Sequence, residues 1–215
     1  MSIFSESDIK TIRTHLEGMV DPVHLIFVKS EKNCRYCREC RQLVMEFAEY
    51  SNLIHINVYD REEDRDEIEE LKIEHVPAIV PMDKKLNDFG IRFYGIPSGY
   101  EFQSLLGIVL QISKNKVGLR EELKAQIKNI QEPLTIQTYV TPICSYCPSV
   151  VRLIHKMALL NPGIKAEMIE ITEFPELGKA ANVKGVPKTV INNTFEIEGA
   201  IPEDQFIQKI VDKFI

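Results

Sequence analysis

Cys34-Arg35-Tyr36-Cys37 and, 110 residues later, Cys144-Ser145-Tyr146-Cys147 are one four-residue pattern written twice, each with Tyr before its second cysteine. Working outward, further landmarks repeat at that interval. Val76-Pro77 is matched by Val186-Pro187, so each Val-Pro lies 43 residues beyond the first cysteine of its own copy. Asp21-Pro22 and Glu132-Pro133 open an apolar run in each half at nearly the same offset. Four landmarks in matched order identify an internal repeat whose copies have the size of small compact domains. The expected domains are residues 1–115 and 116–215, divided within the short polar stretch Ser113–Gly118.

Both copies carry the same element signals. Val23 to Val28 is apolar and rich in β-branched residues, as a strand buried on both faces should be, and Leu134 to Val140 is its counterpart. After each cysteine pair the apolar positions take helical spacing: Leu43, Val44, Phe47 and Ala48, then Val150, Val151, Ile154 and Met157. Second strands are expected at Leu53–Val58 and Ala166–Ile171. Short strands follow each Val-Pro at Ala78–Pro81 and Phe89–Tyr94, then at Thr189–Ile191 and Phe195–Glu198. Closing amphipathic helices fall at Tyr100–Ile112 and Glu203–Phe214, and leading helices at Ser5–Met19 and Leu119–Ile130. Strands linked by helices give an α/β class, with a sheet covered on both faces in each copy.

The net charge of −6 and the lack of a dense Lys/Arg cluster argue against nucleic acid or an anionic membrane surface as the main partner. No apolar run approaches membrane-spanning length, and the first residues, Met1-Ser2-Ile3-Phe4-Ser5-Glu6, lack the basic and apolar regions of a signal peptide. A cytoplasmic location is expected. Four of the five cysteines stand in the two pairs, and in an intracellular chain that spacing means redox or zinc chemistry more often than structural cross-linking.

A strand that turns into a helix places Cys34 and Cys144 at a helix N-terminus, where unsatisfied N–H groups and the helix dipole favour a thiolate. The second cysteine sits one turn on. The first attacks a substrate disulfide and forms a mixed disulfide, which the second resolves. The residue before proline prefers extended geometry, and X–Pro is the only common cis peptide. A cis turn beside the thiols would present open backbone to an extended substrate strand.

Cys-x-Tyr-Cys, the downstream Val-Pro and the element order resemble the thioredoxin and glutaredoxin superfamily. The tandem form is similar to the protein disulfide oxidoreductases of thermophiles, also described as glutaredoxin-like or PDI-like. That resemblance implies two thioredoxin-like folds, each a mixed sheet flanked by helices with an extra N-terminal helix. It implies reduction, formation or isomerisation of protein disulfides, which falls to Cys34, Cys37, Cys144 and Cys147; no cofactor is expected, and no metal, since neither motif has a second pair of ligands at local spacing. It implies that Pro77 and Pro187 are cis and that a thioredoxin reductase supplies electrons; the expected substrate-binding residues are Val76, Pro77, Val186, Pro187, Tyr36 and Tyr146. The chain departs from thioredoxin in having no Trp, in its Arg-Tyr and Ser-Tyr dipeptides, and in Val28 and Thr138 where thioredoxins carry a buried acid.

Other readings compete. A dedicated electron donor to a peroxidase would be built from the same fold, although such modules usually keep one pair and this chain has two. Cys40 extends the first motif to Cys34-x-x-Cys37-x-x-Cys40, which invites a metal; its place on the apolar face with Val44 and Phe47 favours core packing instead. His75 and Arg35 could stabilise the Cys34 thiolate, with the solvent side the better expectation for His75. Tyr36 and Tyr146 either contact substrate or pack on the helix start. The acidic run Asp60–Glu70 reads as a solvated helix face.

Overall fold

The computed structural model describes residues 2–32 and 34–215. It divides into two compact units: the chain up to Asp88 with Phe93–Ile96 and Leu106–Lys116, and Phe89–Arg92 with Pro97–Leu105 and Val117–Ile215.

In the first repeat, helix α1 (Glu6–Leu16) starts at a reciprocal cap in which Ser5 and Asp8 satisfy each other's backbone N–H. Strand β1 (Val23–Lys29) is the hub. It runs parallel to β2 (Ile54–Asp60) and antiparallel to β3 (Ala78–Asp83), which pairs antiparallel with β4 (Ile91–Tyr94). Val23, Leu25, Phe27 and Val28 are fully buried because a central strand covered on both faces has no solvent side. Helix α2 (Cys37–Ala48) turns Cys37, Cys40, Leu43, Val44 and Phe47 inward, one apolar stripe at helical spacing. The four-residue helix α3 (Arg65–Ile68), a 3-10 turn at Glu69–Leu71 and α4 (Phe102–Lys114) complete the repeat.

The second repeat has the same plan. Helix α5 (Glu121–Lys128) leads to β5 (Leu134–Val140), which is parallel to β6 (Ile164–Glu170) and antiparallel to β7 (Lys188–Ile191); β7 pairs antiparallel with β8 (Phe195–Glu198). Helices α6 (Cys147–Leu160), α7 (Pro175–Ala180) and α8 (Glu203–Phe214) complete it. The mixed sheets and leading helices match the expected class, although both leading helices are shorter than their sequence signals.

The 110-residue interval reaches details invisible in the motifs. Lys72 and Asn182 both take left-handed backbone, with φ of 49° and 50°, in the turns that end the helical segment before each Val-Pro. Asp60 and Glu170, at the ends of β2 and β6, both accept backbone N–H groups of the next turn, from Glu62 and Glu63 and from Thr172 and Glu173. Asp60 is therefore buried rather than on a solvated face, a correction to the reading of the acidic run. Those N–H donors, with the Lys29 ammonium 3.0 Å away, hold its carboxyl well below the usual range.

Candidate functional site

Each cysteine pair sits where a sheet strand hands over to a helix. Cys37 and Cys147 are the first residues of α2 and α6, and each is joined by a disulfide to the cysteine three residues earlier, with Cα atoms 5.4 and 5.5 Å apart. Within each pair the burial is unequal. Cys34 and Cys144 are half-buried, while Cys37 and Cys147 are buried. The first cysteine of each pair is thus the more accessible to solvent. In the second pair the Cys147 backbone N–H donates to the Cys144 sulfur at 3.2 Å, a helix-end donor of the kind that favours negative charge on sulfur.

Val76-Pro77 and Val186-Pro187 are both cis. Each proline carbonyl accepts the N–H of a glycine just past β4 or β8, from Gly95 at 3.0 Å and from Gly199 at 2.8 Å. The Cys144 sulfur lies 3.7 Å from the Val186 carbonyl oxygen, so the structure brings the second pair and its Val-Pro together. The approaches to both cis turns are pinned by cations. Arg61 donates to the Glu74 carbonyl at 3.0 Å, and Lys188 donates to the Ala181 carbonyl at 2.8 Å while pairing with Glu196.

The two tyrosines behave differently. Tyr36 is half-buried, with the Arg35 guanidinium over its ring at 5.2 Å, whereas Tyr146 is 71% exposed. His75 is half-buried rather than on the solvent side, its ring edge-on to Tyr94 at 5.2 Å. Cys40 is fully buried on the apolar stripe of α2 and lies outside both disulfides. Among the described residues no group of three or more His, Cys, Asp or Glu is arranged to hold a metal ion.

Sequence reasoning missed two buried charged residues of the second unit. Lys188, directly after the cis proline, is 1% exposed. Glu101 ends a 3-10 turn (Gly99–Glu101) that packs on α6. Burial pushes its carboxyl up to about 7, against the opposing pull of a Ser104 hydroxyl at 2.6 Å and the Arg152 charge. Gly99 permits the approach, because its φ is +58° and a Cβ there would strike the Pro142 carbonyl oxygen. Neither residue type reads as core in a sequence. Thr138, where the resemblance placed a missing acid, is buried and bonded to the Thr189 hydroxyl at 3.0 Å.

The family model for the thioredoxin domain matches this chain twice, over residues 25–107 and 134–212. The chain belongs to the thioredoxin-domain family. A protein disulfide oxidoreductase from Aeropyrum pernix is 30% identical and superposes with a TM-score of 0.90, over 100% of this chain and 95% of that one. The NTD_N/C domain of alkylhydroperoxide reductase AhpF from Enterococcus faecalis is 26% identical with a TM-score of 0.89, over 99% of this chain and all of that one. In sequence, the alkyl hydroperoxide reductase AhpF of Pseudomonas putida is 27% identical over 199 residues, 93% of this chain and 36% of the relative. The chain spans about a third or less of the length of the curated relatives it matches. Two Cys-x-x-Cys centres on tandem thioredoxin-like folds carry thiol–disulfide exchange. No helix among the described residues is long and apolar enough to cross a membrane.

Proposed function

We propose that the chain exchanges disulfides with protein substrates at both centres, with Cys34 and Cys144 as nucleophiles and Cys37 and Cys147 as resolving thiols. The unequal burial within each pair is the observation that carries this reading. In the reducing direction the Cys144 thiolate attacks a substrate sulfur and the substrate S–S bond breaks. The Cys147 thiolate then attacks Cys144, re-forming the enzyme disulfide and releasing a substrate dithiol; two electrons and two protons move to substrate. Val76, Pro77, Val186, Pro187, Tyr36 and Tyr146 are the residues that meet the substrate strand. The functional domains are residues 1–115 and 116–215, and the setting is cytoplasmic, with a thioredoxin reductase as electron source.

Glu101 gives the second centre a buried acid that titrates near neutrality, on a turn packed against the helix that Cys147 begins. In this reading Glu101 exchanges a proton with the thiol pair, since β5 offers only Thr138.

Reduction of insulin with dithiothreitol as electron source tests the reading in wild type, Cys34→Ser and Cys144→Ser. Partial loss in each single variant is expected. A wild-type rate no faster than dithiothreitol alone would overturn it. A second reading, electron delivery to a peroxidase, draws on the likeness to the AhpF proteins across 93% of the chain.

A further inference from the structure

The rims of the two centres differ in chemistry. Among the described residues nine large hydrophobic side chains are exposed, and three of them stand around Cys144. Ile143, immediately before the nucleophile, is the most exposed at 87%; Tyr146, two residues after it, is 71% exposed. Tyr100 is 47% exposed, and its backbone N–H donates to the Pro142 carbonyl at 3.0 Å, which brings it beside the same turn. Tyr100 and Cys144 belong to the same compact unit. Such side chains are costly to leave in water, and concentrated at the mouth of a reactive site they mark a contact surface.

Among the described residues none of the exposed large hydrophobic side chains flanks Cys34. Lys32, Arg35, Arg38 and Glu39 are exposed there, and Tyr36 lies half-buried with the Arg35 guanidinium over its ring. The shared Cys-x-Tyr-Cys pattern therefore carries two different surfaces.

Resting on the exchange chemistry proposed above, we infer that the second centre selects disulfides flanked by exposed apolar residues, as in unfolded or misfolded polypeptide, through Tyr100, Ile143 and Tyr146. An extended segment laid beside Val186 would bury its apolar side chains against this rim as its sulfur reaches Cys144. The first centre, with a charged rim, gains nothing from such flanks. Specificity here is a difference between two substrates' transition-state contacts, so it reads out in kcat/KM.

The test uses the full chain carrying Cys34→Ser and Cys37→Ser, which leaves the second centre alone, with dithiothreitol as electron source. Two peptides closed by the same single disulfide are compared, one flanked by Leu and Phe and the other by Ser and Glu. The apolar peptide should be favoured by about tenfold in kcat/KM, the discrimination that a small apolar contact typically supplies. Adding Ile143→Ser and Tyr146→Ser should bring that ratio to within about twofold. Because a ratio is measured, any change in the redox potential of the pair cancels. Equal rates for the two peptides in the parent, or a preference that survives the double substitution, would overturn the inference. Failure to reduce either peptide, or a small-molecule disulfide, would overturn the exchange chemistry itself and the inference with it.

Discussion

The sulfur of Cys144 lies 3.7 Å from the carbonyl oxygen of Val186, across 42 residues of chain. That contact joins the two landmarks from which the fold was read. It sets the nucleophile beside the backbone of the cis Val186-Pro187 turn, where an extended substrate strand would meet both at once. In the same unit the buried Lys188 ammonium ties the Ala181 carbonyl to Glu196, and the turn that ends in buried Glu101 packs on α6, the helix that Cys147 begins.

Lys188→Met should destabilise the chain by about 2 kcal/mol, because it strands the Ala181 carbonyl and removes a charged donor from a buried site. Urea unfolding measures the loss. The same variant should raise KM for a peptide disulfide more than it lowers kcat, since the Lys188 ammonium acts on the segment that leads into the turn, at Ala181 and Asn182. An unchanged KM would show that the turn holds its place without the clamp.

Glu101 sets a pH dependence whose sign is fixed by its raised pKa. The folded chain keeps a proton that the unfolded chain releases near 4.5, so the stability contributed by neutral Glu101 is complete below about pH 4.5 and is lost as pH rises through about 7. The loss amounts to about 3 kcal/mol at most for a group buried to this extent. Glu101→Gln should flatten this part of the stability profile. If the acid serves the thiols, the same substitution should also remove a limb near pH 7 from the rate profile of the second centre measured with the first inactivated.

Much of this fold was legible because the repeat imposed the same reading twice. The bounds of β5, β8 and α8 agree with the sequence signals residue for residue, since each is framed by turn residues and carries an unbroken apolar period. The closing helix of the first repeat agrees less well. Its Tyr100 start belongs to a 3-10 turn, a geometry that apolar spacing does not distinguish from α. The four cysteines and both prolines could be named from spacing alone. Lys188 and Glu101 could not, because a charged residue becomes core only when distant partners satisfy it, and Ala181, Glu196 and Ser104 carry no local signal of that role. The unequal exposure of Tyr36 and Tyr146 was equally hidden, since the two stand at identical places in the motif.

Cys40 separates a packing residue from a third reactive thiol. Fully buried on the stripe of α2 that holds Leu43, Val44 and Phe47, it should act as a core packing residue. Cys40→Ala should cost about 1 kcal/mol through the small cavity it leaves, with insulin reduction retained. Loss of activity at unchanged stability would instead give Cys40 a part in the exchange.

The division of labour within each pair, one thiol attacking and one resolving, is open to direct trapping of the mixed disulfide. Cys37→Ser and Cys147→Ser together remove the two buried thiols while leaving Cys34 and Cys144 able to attack. After incubation with an oxidised protein substrate, mass spectrometry of the digested adduct locates the bond. Substrate should be linked through Cys34 and through Cys144, and through no other cysteine. Adducts at Cys40 alone, or no adduct at either first cysteine, would contradict the assignment of Cys34 and Cys144 as nucleophiles.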